Sequence, residues 1–235
     1  MTPNRKWALD ASCRLLPQEL LALESVSASL PVTEPSHYLI YGKGSELNEP
    51  CSHANVLRAA AERIAEVRSG VLISARILCS PPQSGDAQPW HLDYAMDVEN
   101  VETVFIALTA SNPASCTEIL DFGTENERIA QLAREAFPLG LASCQWRTHA
   151  VNVEKVLLDP GQAAVVQTGT FFHRRSATDS AAHVRITFNV DVCPRGENAQ
   201  RFACVDAAKA SLTGSRIVEK CSIDDFSEQD VFLAS

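Results

Sequence analysis

Residues 183–190 read HVRITFNV, a stretch whose side chains alternate between polar and apolar. Successive side chains of a β-strand point to opposite faces of the sheet, so this alternation predicts a strand with one apolar face in a core. The polar face is open to two interpretations, because it either meets water or lines a pocket. Its members are His183, Arg185, Thr187 and Asn189.

Runs of strand length with β-branched and apolar residues surround this stretch. They lie at 37–41, 71–79, 101–110, 151–158 and 163–167. Turn-forming residues separate them, notably Asp159-Pro160-Gly161. Helical spacing of apolar residues predicts helices at 17–30, 52–68 and 125–137, and the second of these has Ser52 as N-cap and ends at Gly70. A further helix is predicted at 206–212.

This order predicts a single domain in which helices pack outside a double-sheet β-fold. Residues 1–70 would form an N-terminal helical support, residues 71–192 the β-rich core, and residues 193–235 a C-terminal extension. The chain has 235 residues, of which 46% are apolar and 21% charged, values ordinary for a globular protein with a real core.

The charge and the cysteines exclude several classes of partner and site. A net charge of −9 argues against nucleic acid as the main partner, which would need clustered Lys and Arg. No apolar run is long enough to span a bilayer, and the first residues lack the apolar core of a signal peptide, so a cytoplasmic protein with no membrane partner is expected. The eight cysteines include no Cys-x-x-Cys pair, so we expect reduced structural thiols and no zinc knuckle.

His91-Leu92-Asp93 is the strongest candidate for a metal site. On a strand, His91 and Asp93 would share a face and present an imidazole beside a carboxylate. His173, on a distant strand, would complete two histidines and one carboxylate on one side of a metal ion. Non-haem Fe(II) oxygenases use this arrangement, because it leaves coordination positions open.

Arg185 follows His173 by 12 residues, which leaves room for one hairpin to bring their strands together. A guanidinium at this position could bind a carboxylate through two parallel hydrogen bonds. The hydroxyl of Thr187, on the same face, would add a further hydrogen bond.

In this order, His91-Leu92-Asp93, the turn at Gly161 leading into 163–166, His173, and Arg185-Ile186-Thr187 resemble the Fe(II)- and 2-oxoglutarate-dependent dioxygenases. The resemblance covers about 71–192. It implies a catalytic core folded as a double-stranded β-helix, a jelly roll similar to that of cupins. The expected fold class is therefore mainly β with flanking helices.

The resemblance also implies a function. His91, Asp93 and His173 would hold Fe(II), and 2-oxoglutarate would chelate the iron while its far carboxylate pairs with Arg185 and Thr187. O2 would take the remaining position, and oxidation of a substrate C–H bond would accompany decarboxylation to succinate and CO2. Family members that transfer halide replace the carboxylate with a small residue, so Asp93 favours hydroxylation or another oxidation.

Three further residues are weaker candidates. Arg76 would contact 2-oxoglutarate or substrate, or else lie on the surface. Arg175 shares the parity of His173 and is a candidate for binding an acidic substrate. Trp90 would either wall the site or pack on the face opposite His91. His183 is predicted to be a strand-end residue rather than a base.

Two alternatives remain from other classes. A cupin-type metalloenzyme is less favoured, because the chain has six histidines and no His-x-His. A non-catalytic jelly-roll binding module would make the histidines incidental. For an oxygenase, a free small molecule is the preferred substrate and a protein side chain the second choice.

Overall fold

The computed structural model describes residues 7–29, 36–42, 54–80, 87, 90–93, 101–136, 142–146, 152–176, 183–192 and 217–221. The helices are α1 (Pro17–Ser29), α2 (Ala54–Val67) and α3 (Asn126–Ala136), with short 3₁₀ turns at Ala11–Cys13 and Gly123–Glu125. The strands are β1 (Trp7–Leu9), β2 (Ser36–Gly42), β3 (Val71–Ser80), β4 (Trp90–Leu92), β5 (Val101–Ala107), β6 (Thr117–Asp121), β7 (Ala142–Trp146), β8 (Asn152–Val156), β9 (Ala163–Val166), β10 (His173–Arg175), β11 (His183–Asp191) and β12 (Ile217–Cys221). Among the described helices, none has the length and apolar character to cross a membrane.

Two six-stranded sheets form the body of the fold. The first has the order β1-β9-β5-β11-β3-β2, and the second has the order β12-β7-β4-β10-β6-β8. Eight of these strands, β3 to β6 and β8 to β11, pass from one sheet to the other at every step except from β6 to β8. This alternation is the jelly-roll topology, so the predicted double-stranded β-helix is confirmed.

The outer face of the first sheet carries helices α1 and α2. Alternate side chains of β11 (Val184, Ile186, Phe188 and Val190) are buried in one apolar cluster with residues of α2 such as Leu57 and Ile64. Side chains of β3, β5 and β9 join the same cluster. The apolar face predicted for residues 183–190 is therefore the one that packs against helices.

The space between the two sheets has an apolar part and a polar part. A second apolar cluster fills one part of it, with Phe105 from β5, Val166 from β9 and Ile119 from β6. The other face of β11 is buried as well, although all its side chains are polar. That polar part of the interior contains the candidate site.

The turn at Asp159-Pro160-Gly161 is confirmed. The Gln162 amide donates to the Asp159 carbonyl at 2.9 Å, and Gly161 has φ +81°. Proline followed by a residue with positive φ is the pattern of a type II turn. A Cβ atom added to Gly161 would lie 3.2 Å from a methyl of Leu20, so the close packing of α1 also favours glycine at this position.

Helix α2 ends one residue earlier than its sequence predicts. Ser69, with φ +53°, takes the left-handed position that was predicted for Gly70. The Gly70 amide donates to Ala65 O and the Ser69 amide to Glu66 O, which together form a Schellman motif. Arg68 binds Glu102 through Nε and Nη2 and Asp10 through Nη1, and these contacts fix the end of the helix against β5.

Other differences concern short strands. The sequence did not predict β1, β6, β7 or β12, and β5 ends at Ala107, short of the predicted end at residue 110. Because β1 and β2 extend the first sheet, the N-terminal support includes strands as well as helices. The helix predicted at 206–212 lies outside the described residues.

Candidate metal centre

Strands β4 and β10 bring the two predicted histidine ligands together. His91 and His173 are direct partners in an antiparallel pair, which places both side chains on the same face of the sheet. Their ring centroids lie 4.4 Å apart, and both residues are buried.

Asp93 follows β4 and completes the cluster. Its two carboxylate oxygens lie 3.7 Å from His91 Nε2 and 3.5 Å from His173 Nε2. These separations exceed hydrogen-bond lengths, but they fit ligands of one ion that sit about 2.0–2.2 Å from it. Among the described residues, His91, Asp93 and His173 are the group able to hold a metal, with ligand atoms within 4.8 Å of one another.

A backbone carbonyl sets the tautomer of His173. Its Nδ1 lies 3.3 Å from Phe171 O, and a carbonyl can only accept a hydrogen bond. Nδ1 therefore carries the proton, and the lone pair of Nε2 faces Asp93 and His91. Two imidazoles and one carboxylate on one side match the donor set of non-haem Fe(II).

Arg185 lies inside the sandwich near this cluster. Its Nη1 donates to Thr117 Oγ1 at 2.8 Å, and its Cζ lies 5.3 Å from the centroid of Phe105. Arg185 Nε is buried and has no hydrogen-bond partner among the described residues. Burial, with the charge of Arg175 as the next cause, lowers the pKa of Arg185 to about 10.

An unsatisfied buried guanidinium nitrogen is costly, and an anion is the natural partner for it. Arg185 therefore fits a carboxylate ligand such as the one predicted from the sequence. Phe105 lies between the metal ligands and Arg185, because its ring is 6.1 Å from the ring of His173 and 5.3 Å from Arg185 Cζ.

His183 and Thr187 are buried on the same face of β11 as Arg185. His183 Nδ1 lies 3.4 Å from Thr109 Oγ1. Burial, followed by the charges of Arg185 and Arg175, lowers the pKa of His183 to about 3, so its imidazole is neutral near pH 7.

The structure places Trp90 away from the cluster. Arg174 Cζ lies 4.1 Å from the centre of the Trp90 ring, and Arg174 Nε donates to Glu118 Oε2 at 2.7 Å. Alternation along β4 and β10 puts these contacts on the face opposite His91 and His173. Trp90 is therefore a packing residue, which corrects the interpretation that it walls the site.

The other two candidates have different outcomes. Arg175 lies on the cluster face of β10, and its Cα pairs with that of Thr117. Arg76 pairs in register with Thr187, but its side chain lies outside the described residues, so its role stays a prediction.

Sequence reasoning missed Thr117 and Phe105. Thr117 begins a five-residue strand with no alternation to mark its inward face, and Phe105 belongs to a strand that is buried on both faces. For Phe105, the available signal was an aromatic residue in an apolar run that could pair with the strand of Arg185. For Thr117 there was none.

No family model matches the sequence, and no curated protein matches it. Solved structures do match. One is a 2OG-Fe(II) oxygenase family oxidoreductase from Burkholderia pseudomallei, with TM-score 0.52 and 11% identity over 80% of this chain and 84% of that chain.

Two other matches are proteins of similar size. The non-haem alpha-ketoglutarate-dependent carbocyclase SnoK from nogalamycin biosynthesis has TM-score 0.51 and 12% identity, over 80% of each chain. AviO1 from Streptomyces viridochromogenes Tue57 has TM-score 0.50 and 14% identity, over 79% of this chain and 89% of that chain. The chain therefore has the jelly-roll fold of the Fe(II)- and 2-oxoglutarate-dependent oxygenases.

Proposed function

We propose that this protein is an Fe(II)- and 2-oxoglutarate-dependent oxygenase. The observation that carries the proposal is the His91, Asp93 and His173 cluster beside the buried Arg185, inside a fold shared with such oxygenases. A metal site alone would suit many activities, whereas a facial donor set next to a buried cation suits iron and a carboxylate co-substrate together.

Each residue of the site has a role in this proposal. His91, Asp93 and His173 hold Fe(II), and Arg185 and Thr187 bind the far carboxylate of 2-oxoglutarate. Iron supplies the redox chemistry that couples decarboxylation of 2-oxoglutarate to oxidation of a C–H bond with O2. Phe171 O keeps the Nδ1 proton on His173 and thereby keeps its Nε2 available to the metal.

Burial of the site supports the same assignment. His91, His173, Arg185 and Thr187 are all less than a tenth exposed, and Phe105 lines the space between them. Excluding bulk water strengthens each charge interaction within the site and protects reactive species from side reactions. Asp93 occupies the ligand position that would have to be vacant for a halide, so oxidation without halide transfer is proposed.

The proposed substrate is a small molecule, and the proposed reaction is hydroxylation. The net charge of −9 disfavours a polynucleotide, and SnoK, which has the same fold, belongs to nogalamycin biosynthesis. SnoK is also a carbocyclase, so ring closure is the alternative reaction. Product mass separates the two, because hydroxylation adds one oxygen atom and ring closure removes two hydrogens.

The non-catalytic binding module is the main alternative to an enzyme. An anaerobic titration distinguishes them, because Fe(II) with chelated 2-oxoglutarate gives a weak visible charge-transfer band. We expect the band in the wild type and none in Asp93→Ala or with Zn(II) in place of iron. A wild-type protein that retains no iron and gives no band would refute the oxygenase assignment.

A further inference from the structure

The turn between β9 and β10 contacts two of the three proposed metal ligands. We call this segment, residues 167–171, the ligand turn. The backbone amide of Asp93 donates a hydrogen bond to Thr168 O at 3.2 Å. His173 Nδ1 donates to Phe171 O at 3.3 Å. The ligand turn therefore presents one backbone carbonyl to each of two ligands.

Backbone hydrogen bonds make the ligand turn compact. The amides of Thr170 and Phe171 both donate to Gln167 O at 3.0 Å. The register between β4 and β7 ends at Leu92, one residue before the ligand Asp93. The hydrogen bond to the ligand turn therefore fixes the backbone of Asp93 just beyond the end of its strand.

Buried polar side chains connect the ligand turn to the first sheet. Thr103 on β5 is the direct partner of Asn189 on β11 and of Val166 on β9. Thr168 follows Val166 by two residues. Thr103 Oγ1 lies 2.6 Å from Thr168 Oγ1 and 3.0 Å from Asn189 Oδ1. We call these three buried polar residues, Thr103, Thr168 and Asn189, the polar row.

The hydrogen bonds of the polar row have one direction. Asn189 Oδ1 can only accept, so Thr103 donates its single hydroxyl hydrogen to it. Thr168 must then donate its own hydroxyl hydrogen to Thr103 Oγ1. The side chain of Thr168 is thereby bound to the first sheet, while its carbonyl binds Asp93, which follows a strand of the second sheet.

Stability alone does not require a polar row. Two valines in place of Thr103 and Thr168 would fill the same space, and replacing both partners of a buried hydrogen bond by apolar groups of the same shape is nearly neutral. Valine cannot supply a directional bond, however. The bond between the two hydroxyls fixes the orientation of Thr168 and hence of the carbonyl that binds Asp93.

We propose that Thr168, oriented by Thr103 and Asn189, is a positioning residue that fixes the place of Asp93 and so raises the affinity of the metal site. The inference rests on the proposed function for the identity of the metal ligands. It adds to that function a polar row outside the ligand set. Because it concerns metal affinity, it can be tested without turnover.

The test measures the Kd of metal-free protein for Co(II), which replaces Fe(II) as an air-stable probe. Thr168→Val keeps the shape of the side chain and removes its hydroxyl, whereas Thr168→Ser keeps the hydroxyl and removes a methyl. We expect Thr168→Val to weaken Co(II) binding about tenfold and Thr168→Ser to bind like the wild type. The visible spectrum of bound Co(II), which depends on ligand geometry, should change in Thr168→Val and not in Thr168→Ser.

Thr103→Val removes the other partner of the same hydrogen bond. It should weaken Co(II) binding by a similar factor, and it provides the test if Thr168→Val does not fold. The double variant with valine at both positions should lose no more affinity than either single variant, because all three lack the same bond. Losses that multiply in the double variant would overturn the inference.

Ser111 provides a matched control at the other end of β9. Its hydroxyl donates to Leu158 O at 3.0 Å and accepts from the Leu158 amide, so it also joins a side chain to the backbone of a turn. Ser111→Ala should retain the wild-type Kd for Co(II), and thermal unfolding confirms that each variant is folded. Equal losses of affinity in Ser111→Ala and Thr168→Val would overturn the inference, as would wild-type affinity in Thr168→Val.

Turnover separates this inference from the proposed function. If Thr168→Val weakens Co(II) binding but wild-type protein with Fe(II) forms no succinate, the oxygenase assignment fails and the positioning role stands. If wild-type protein forms succinate and Thr168→Val binds Co(II) with unchanged affinity, the positioning role fails alone. Wild-type protein that binds no Co(II) would overturn both.

Discussion

The two faces of strand β11 are both buried but chemically opposite. On the outer face, Val184, Ile186, Phe188 and Val190 are at most 2% exposed and pack beneath the helices. On the inner face, His183, Arg185, Thr187 and Asn189 are 4–8% exposed and surround the candidate site. Alternation in this strand therefore separates a core from a site, whereas in most half-buried strands it separates a core from water.

The difference has an energetic meaning. Burying a large apolar side chain stabilises a fold by about 1.5–3 kcal/mol, so the outer face contributes stability. Burying an arginine with one neutral hydrogen-bond partner opposes folding unless a ligand compensates. Changes on the outer face should therefore alter stability and spare ligand binding, and changes on the inner face should do the reverse.

The largest expected effect is on the outer face. Phe188→Ala should lower the free energy of unfolding by about 3–5 kcal/mol, because it removes a buried ring and leaves a cavity. Urea unfolding measures the loss. At a temperature where the variant is folded, its affinity for 2-oxoglutarate should match that of the wild type, and a tenfold loss of affinity would contradict the division between the faces.

Arg185→Gln tests the inner face. Losing the charged partner of a buried carboxylate should raise the Kd for 2-oxoglutarate about 100-fold. The free energy of unfolding of the ligand-free variant should be unchanged or higher, since an uncompensated buried charge is removed. Calorimetry and urea unfolding of the same sample provide both values. A clear loss of stability with intact binding would make Arg185 a structural residue.

His183 should make the stability of the ligand-free protein depend on pH. Its folded pKa of about 3 lies below the unfolded value of about 6.5, so the unfolded state binds the extra proton as pH falls. Stability should then drop by about 1.6 kcal/mol between pH 6.5 and pH 5, with a slope that approaches about 1.4 kcal/mol for each pH unit below the unfolded pKa. His183→Gln should remove this part of the pH dependence. Identical pH profiles for the two proteins would show that folding does not lower the pKa of His183.

The smallest effect concerns a position on neither face. Ser69→Gly should raise the free energy of unfolding by about 1 kcal/mol, because glycine adopts positive φ without the strain that a Cβ atom causes. The Kd for 2-oxoglutarate should not change. A destabilised Ser69→Gly protein would mean that the serine side chain contributes more than its backbone conformation costs.

Much of this organisation was predictable from local signals. Helices α1, α2 and α3 follow from apolar spacing, the turn at Gly161 from its proline and glycine, and the inner face of β11 from alternation. The ligand set could be predicted because Asp93 follows His91 by two residues, directly after β4, and the alternation expected of a strand puts such residues on one face.

The rest depends on tertiary pairing. Strands β4 and β10 are three residues long, too short for any periodic pattern, and only their pairing places His173 opposite His91. The contact between Thr117 and Arg185 spans the two sheets, so no local signal marks it. Alternation from His173 correctly placed Arg175 on the face of β10 that carries the metal ligand, but it could not show which residues of the opposite sheet face it.

Succinate formation tests the central claim most directly. Wild-type protein with Fe(II), O2, 2-oxoglutarate and a panel of small acids should release succinate, and His91→Ala should release none while it unfolds at nearly the same temperature. Equal rates in the two proteins would contradict the assignment of His91 as a metal ligand. No succinate from the wild type with any acid of the panel would contradict the account of the inner face as an oxygenase site.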